Sequence, residues 1–469
     1  MTNSISMKNK FQLKDIIFFC STAILLVDQI ALSAAVGPYA VFWWLVTLVL
    51  FMLPNNLVTA EMGSGYPEQG GIYTWVRDAF GTRWAARITW AYWVNIALWV
   101  PSVFIMFAGL LSAMFFPELT LWHQIGIGLF FIAVTCLVNC SPIYFTKIIT
   151  NTATPLKIII IVIVGSAGIN YGMTNGFATD VSFGAALSNL DAGLAYIPVL
   201  VYGCLGLELI MSESNKIVNP QRNIPRAIFA TGLLASAFYI FGTLGILAAV
   251  PAEKVDIISI FSVTLNELFG DVPMGSTIVA VLGISTLFTF FGTMVAWTSG
   301  GNAAMAEAGQ EQEMPAVFGK MREKSNAPAG SAILLSCLSG FILVVYGLMA
   351  ENAEELFWTL FSFSGIIFLL PYIAMHCSFL KFRATKTTPE GAFRIPGGQF
   401  VAKLIAFTCI FILCLSILLF FWIPGEPVDY TYIMQIGVGL ILTLGYGEIL
   451  VRICEKKRDN SPNGETQKA

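Results

Sequence analysis

Residues 193–227 read GLAYIPVLVYGCLGLELIMSESNKIVNPQRNIPRA. A strongly apolar run is interrupted by Gly203 and Gly206, the acid Glu208 follows at once, and the chain then leaves through a polar, basic stretch. Glycine adopts backbone torsions that other residues avoid, so paired glycines inside a spanning segment mark where a helix opens and offers backbone groups to a ligand. A carboxylate at that depth is costly unless it faces a partner or a wet cavity. The stretch predicts one wall of a transport site.

The composition agrees with a bilayer setting. Of the 469 residues, 57% are hydrophobic and 11% are charged, with a mean hydropathy of +0.76. Soluble domains carry roughly 25% charge. The net charge of −3 and the lack of a basic block argue against a nucleic-acid partner. Nine cysteines lie mostly in apolar segments without a CxxC pair, and Cys136 and Cys140 share a helix face. That is packed cysteine, not a disulfide framework or a metal site. With His123 and His376 the only histidines, no metal and no cofactor is expected. No nucleophile–base pair stands out, so no catalytic residue is assigned and an enzyme is not expected.

Working outward, apolar segments fall at about 15–37, 39–59, 85–114, 121–141, 152–171, 193–212, 228–250, 275–300, 329–349, 355–380, 402–424 and 431–452. Each is near or above the length that crosses a bilayer, about 20 residues. The chain is predicted to be an all-α membrane protein of twelve transmembrane helices. The polar start, 1–14, and the end, 455–469, read as cytoplasmic tails, and the stretches 60–84 and 301–328 read as the longest loops. Every Lys and Arg except Lys157 and Lys254 falls in the tails or in an even-to-odd connection. By the positive-inside rule both termini are cytoplasmic, which implies a cell (inner or plasma) membrane location.

Lys157 lies about 15 Å along its helix from Lys147, and Asp28 about 21 Å from Lys14, at a rise of 1.5 Å per residue. An acid and a base at similar mid-bilayer depth are expected to face the protein interior. Trp43, Trp44, Trp90 and Trp122 read as interfacial anchors.

At 60–84, AEMGSGYPEQGGIYTWVRDAFGTRW, the chain resembles the amino acid–polyamine–organocation transporter superfamily. The likeness is to its glutamate/GABA antiporter branch and the tyrosine/tyramine and agmatine/putrescine relatives. It continues through GLELIMSESNKIVNPQRNIPRAI (206–228), AWTSGGNAAMAEAGQEQEMPAVFGKM (296–321) and FRIPGG (393–398). The resemblance implies two five-helix inverted repeats of LeuT-like fold, 15–171 and 193–380, followed by two further helices, 402–452. The first helix of each repeat is then discontinuous, with the substrate between the breaks. In this chain LLVDQIALSAAVG (25–37) lacks the glycines of many relatives, and the first break is expected near Val27–Ser33.

Carried onto this chain, the resemblance implies substrate contacts at Asp28, Ile30, Ala31, Tyr92, Asn95, Tyr202, Gly203, Gly206 and Trp297, with Lys157 and Glu208 in coupling or gating. Each residue has a plainer reading. Asp28 either binds a substrate amine or is bonded to neighbouring backbone or Gln29. Lys157 either braces the first helix or snorkels to the surface. Glu208 either senses protons and links the broken helix to its neighbours or caps and packs. Tyr202 and Trp297 either cover and floor the substrate, where aromatic faces suit amines, or are core aromatics. For Tyr92 and Asn95 the competitor is helix packing. Glu61, Arg77 and Arg226 read as solvated loop charges, with gating ion pairs as the alternative.

The function expected is exchange of an external amino acid for an internal amine by alternating access. A proton-coupled amino acid or polyamine importer is the alternative, and a channel or substrate sensor a more distant one. The partners expected are small-molecule amino acid and amine substrates and the lipid bilayer, with a homodimer as a candidate assembly.

Overall fold

The computed structural model describes residues 11–68, 70–188, 193–252, 256–385, 389–422 and 427–459. The chain is all-helical. Among the described residues ten helices are long and apolar enough to cross a bilayer, and a bent pair makes eleven. The pair is α1 (Leu13–Ile24) and α2 (Val27–Ala35), inclined at 43°. Next come α3 (Gly37–Gly65), the short α4 (Ile72–Phe80), α5 (Thr82–Phe115), α6 (Leu121–Asn139) and α7 (Ile143–Asn175). A short α8 (Phe183–Ser188) precedes α9 (Ile197–Gly203), which ends at a kink before a 3-10 helix, Leu207–Lys216. Then follow α10 (Pro220–Ala249), the short α11 (Ile260–Phe269), α12 (Gly275–Gln310), α13 (Ala329–Gly347), α14 (Ala353–Thr385), α15 (Gly398–Phe421) and α16 (Tyr430–Asp459).

The segments expected from hydropathy all appear, the one at 193–212 interrupted as expected, with one difference in kind at 60–84. The segment at 193–212 is broken in two, and neither piece alone spans a bilayer. The expected loop 60–84 holds α4, whose Ile72, Trp75, Val76 and Ala79 are buried. That spacing is one helical face. The expected tails lie largely outside the described residues, as do Lys254, Lys386 and the side chain of Lys216. The described part of the second tail continues α16 to Asp459.

The spans α5 and α14 are the most buried, whereas α6 and α16 expose most of their surface. Close approach of α7 and α10 depends on glycine, since a Cβ on Gly168 would overlap the Gly245 backbone. Small residues at such crossings let helix backbones touch. Three of the four tryptophans expected at the interface are core residues instead. Trp44 is fully buried and stacks on Tyr239 at 4.8 Å, Trp43 is buried, and Trp90 is buried with its Nε1 donating to the Thr443 carbonyl at 2.9 Å. Trp122 is exposed, as expected.

The basic connections gather at one end of the bundle. Lys147 lies over the Phe11 ring, Phe11 bridges Ile217, and Arg322 donates to the Cys140 carbonyl. Arg83 pairs with Glu448, Arg458 donates to Thr82, and Lys381 lies over Phe80.

Candidate functional site

The first interruption is Leu25–Leu26, not Val27–Ser33 as expected. Leu26 is extended, φ −97°, ψ 114°, and Leu25 lies just short of that region at φ −79°, ψ 87°; both have the negative φ that suits an L-residue. No glycine is needed. A helix end leaves its last carbonyls without intrahelical partners, and in a membrane interior those groups must be satisfied by protein. Three side chains from three other helices do so. Lys157 Nζ donates to the Thr22 carbonyl at 2.9 Å, and Trp297 Nε1 donates to the Ala23 carbonyl at 3.0 Å. The Tyr239 hydroxyl donates to the Ile24 carbonyl and accepts from the Leu26 N–H at 3.3 Å.

The second interruption lies between Gly203 and Leu207. Here a glycine is required, because Gly206 sits at φ +115°, where a side chain is strained. A Cβ at Gly206 would also come 2.8 Å from the Trp297 ring, and one at Gly203 would come 2.7 Å from Gln29 Cγ. The Gly206 N–H donates to Glu208 Oε2 at 3.1 Å. Gln29 Nε2 donates to the Val199 carbonyl at 2.7 Å, and Cys20 Sγ meets the Leu207 carbonyl at 3.9 Å. The two interruptions are therefore tied to one another, with Trp297 touching both.

Around them is a buried aromatic group. Trp99 meets Tyr202 edge-on at 5.8 Å and Trp297 at 5.3 Å. Phe368 packs against Tyr202 at 4.9 Å and Trp297 at 5.6 Å, and Tyr92 stacks on Trp297 at 6.4 Å. Edge-and-face packing of this kind suits the ring quadrupole. Glu208 accepts from the Tyr372 hydroxyl at 2.6 Å and the Tyr92 hydroxyl at 3.2 Å. Asn95 Oδ1 accepts from Ser364 at 2.8 Å. Asn95 Nδ2, Trp99 Nε1 and the Tyr202 hydroxyl are buried without a hydrogen bond of standard geometry among the described residues.

Most of the residues singled out in the sequence thus converge: Tyr92, Tyr202, Gly203, Gly206, Glu208 and Trp297 by contact, and Lys157 through the first break. Asn95 meets α14 through Ser364. Asp28 is 3% exposed, on the first turn of α2, with its carboxylate set against the backbone amides of Asp28 and Gln29. Lys157 reaches Thr22 rather than Asp28 and is fully buried, which excludes snorkelling. Ile30 is buried against Gly242 of α10, and Ala31 is buried. Tyr239, Tyr372, Trp99 and Ser364 were not singled out. Each is an ordinary residue in an apolar helix, and only its distant partner makes it notable.

Residues 11–444 match the amino acid permease family model. The chain belongs to the amino acid permease family. It is 30% identical over 448 residues, 95% of each chain, to the "Probable agmatine/putrescine antiporter" of Lactococcus lactis. An uncharacterized transporter of Legionella pneumophila is 26% identical over 88% of this chain and 90% of its own. The large neutral amino acids transporter small subunit 2 of Rattus norvegicus is 24% identical over 86% of this chain and 72% of its own. As a member of this family, the protein is a transporter and not an enzyme.

The permease also builds contacts at its basic end, below Glu208. A narrow cleft of about 40 Å³ lies there, bounded by Gly71, Tyr73, Tyr92, Glu208, Leu209 and Gly301 among others. Beside it the Tyr73 hydroxyl donates to Glu313, whose carboxyl is held above its usual range chiefly by burial. Glu61 is not a solvated loop charge. It is buried, pairs with the buried Arg383 at 2.5 Å and accepts from the Ile395 N–H at 2.7 Å, so the FRIPGG segment is latched to α3. A pair this buried is stable only with its lone pairs satisfied, and the Ile395 amide supplies one such bond. Arg77 pairs with Glu68 and Asp78 at the surface, and Arg226 is exposed.

Proposed function

We propose that this permease exchanges an external amino acid for an internal cationic amine by alternating access. One observation carries the reading. Two interrupted spans meet at a buried region holding two acids, Asp28 and Glu208, against one base, Lys157. Buried charge is tolerated only when compensated, and a positively charged amine supplies the missing cation. Aromatic faces beside Glu208 favour the same ligand. A relative over nearly the full length that bears an agmatine/putrescine antiporter name supports the choice of amine.

In this reading the substrate lies between the two breaks, touching Asp28, Ile30, Ala31, Tyr92, Asn95, Tyr202, Gly203, Gly206 and Trp297. Lys157 and Glu208 couple occupancy to the motion. The two broken segments, each counted as one span, bring the total to twelve. They open two inverted repeats, 15–171 and 193–380, with helices 402–452 outside, and both termini are cytoplasmic. Substrate bound to both breaks favours the occluded state, and preferential binding to one state is what drives a population toward it. An empty carrier then crosses slowly and a loaded one quickly.

The test is counterflow in proteoliposomes with labelled putrescine or agmatine outside. Vesicles preloaded with an amine or amino acid should take up label at least tenfold faster than empty ones, without a pH gradient. The importer reading rests on Glu208, which meets two tyrosine hydroxyls and the Gly206 N–H and, among the described residues, pairs with no base. It would be favoured if empty vesicles accumulated label as fast as loaded ones once a pH gradient was imposed.

A further inference from the structure

A second site lies on the lipid-facing side, away from the breaks. Between α4, α5, α14 and α16 runs a groove of about 520 Å³, with Phe80, Trp84, Ile88, Ala91, Ile373 and Leu444 among its walls. At its mouth three guanidinium groups crowd one carboxylate. Glu448 accepts from Arg87 at 2.8 and 3.1 Å, from Arg83 at 3.2 Å and from Arg452 at 2.6 Å. Arg83 lies 3.6 Å from a second acid, Glu455. Across the groove the Lys381 ammonium sits 5.0 Å over the Phe80 ring. Four cations therefore face two acids, and guanidinium N–H groups beyond those bonded to Glu448 remain to be used. Trp84, half-exposed, lies 4.6 Å under Arg87, an aromatic placed where headgroups begin.

We propose that this groove holds one anionic phospholipid of the adjoining leaflet, with an acyl chain along the apolar walls and its phosphate at Arg83, Arg87 and Arg452. The groove opens on the surface that faces lipid, and the excess positive charge at its mouth selects an anionic head. Basic pockets beside spanning helices recognise lipid heads in this way, and arginine's planar fork suits phosphate. Free phosphate or a soluble phosphoester would satisfy the arginines and leave the apolar walls without an occupant. The inference depends only on the chain crossing a bilayer and stands apart from the transport reading.

The test is lipid retention by native mass spectrometry on the purified full chain. Delipidated protein in nonionic detergent is titrated with phosphatidylglycerol or phosphatidylcholine of identical acyl chains. Wild type should retain phosphatidylglycerol at least fivefold better. Arg83→Gln/Arg87→Gln should reduce that preference to within twofold, and Ala374→Trp, which fills the groove, should lower retention of both lipids. Glu448→Gln removes the competing carboxylate and should keep or increase the preference, an outcome that a purely structural ion-pair cluster does not give. Glycerol 3-phosphate at millimolar concentration should not displace the lipid. If the double variant elutes as aggregate, Arg452→Gln at the exposed rim should still lower the preference at least twofold. Equal retention of the two lipids by wild type, an undiminished preference in the arginine variants, unchanged retention in Ala374→Trp, loss of the preference in Glu448→Gln or displacement by glycerol phosphate would each overturn the proposal.

Discussion

The two interruptions do the same thing by opposite means. At Gly203–Leu207 the chain itself carries the instruction, a glycine at positive φ beside a ring that leaves no room for a side chain. At Leu25–Leu26 the local residues are indifferent, and the break is held by Lys157, Tyr239 and Trp297 from elsewhere in the chain. One break is specified by torsion and the other by partners. The first kind should fail when a Cβ is added, and the second when a distant donor is removed.

The largest effect is expected for Lys157→Met. The substitution leaves the Thr22 carbonyl unpartnered and takes away the buried base nearest Asp28, a loss on the order of 3 kcal/mol for breaking a buried charge arrangement. Amine uptake should fall to background and the thermal midpoint in detergent should drop by several degrees. Gly206→Ala comes next. The left-handed torsion costs about 1–2 kcal/mol with a Cβ, and the Trp297 ring must shift, so uptake should drop roughly tenfold by the ~1.4 kcal/mol-per-decade rule. Tyr239→Phe removes one donor and one acceptor from the first break, worth about 1–2 kcal/mol, and should slow uptake a few-fold with a smaller fall in midpoint. Leu25→Met should be nearly silent, since a volume-conserving swap costs less than about 1.5 kcal/mol and the negative φ is open to methionine. If Leu25→Met instead disabled uptake as thoroughly as Gly206→Ala, the contrast between the breaks would disappear.

The same contrast marks what could be read in the sequence. The second break was legible because Gly203 and Gly206 stand together in an apolar run with an acid behind them. The first was expected near Val27–Ser33 and lies at Leu25–Leu26, because nothing in LLVDQIALSAAVG encodes it; its donors are residues 157, 239 and 297. Glu61 read as a loop charge for the same reason, its partner Arg383 being far along the chain. Trp44 looked like an anchor because hydropathy does not separate an interfacial ring from one stacked on Tyr239. The helix α4 was missed as well: 60–84 read as a loop because its charges and glycines masked a short run, although Ile72, Trp75, Val76 and Ala79 repeat at helical spacing. Hydropathy located the spans because crossing length is set by the bilayer and not by neighbours; of the twelve expected, ten helices and the bent pair have that length and composition among the described residues.

The central claim is that the region joining the two breaks receives a cationic amine and that Asp28 belongs to it. Equilibrium binding of labelled putrescine or agmatine to wild type and Asp28→Asn, reconstituted in lipid nanodiscs, tests this most directly. The expected result is at least a tenfold loss of affinity in the variant, with an unchanged elution profile and secondary structure. Equal affinity in folded Asp28→Asn protein would contradict it and would leave Asp28 as a cap on the first turn of α2.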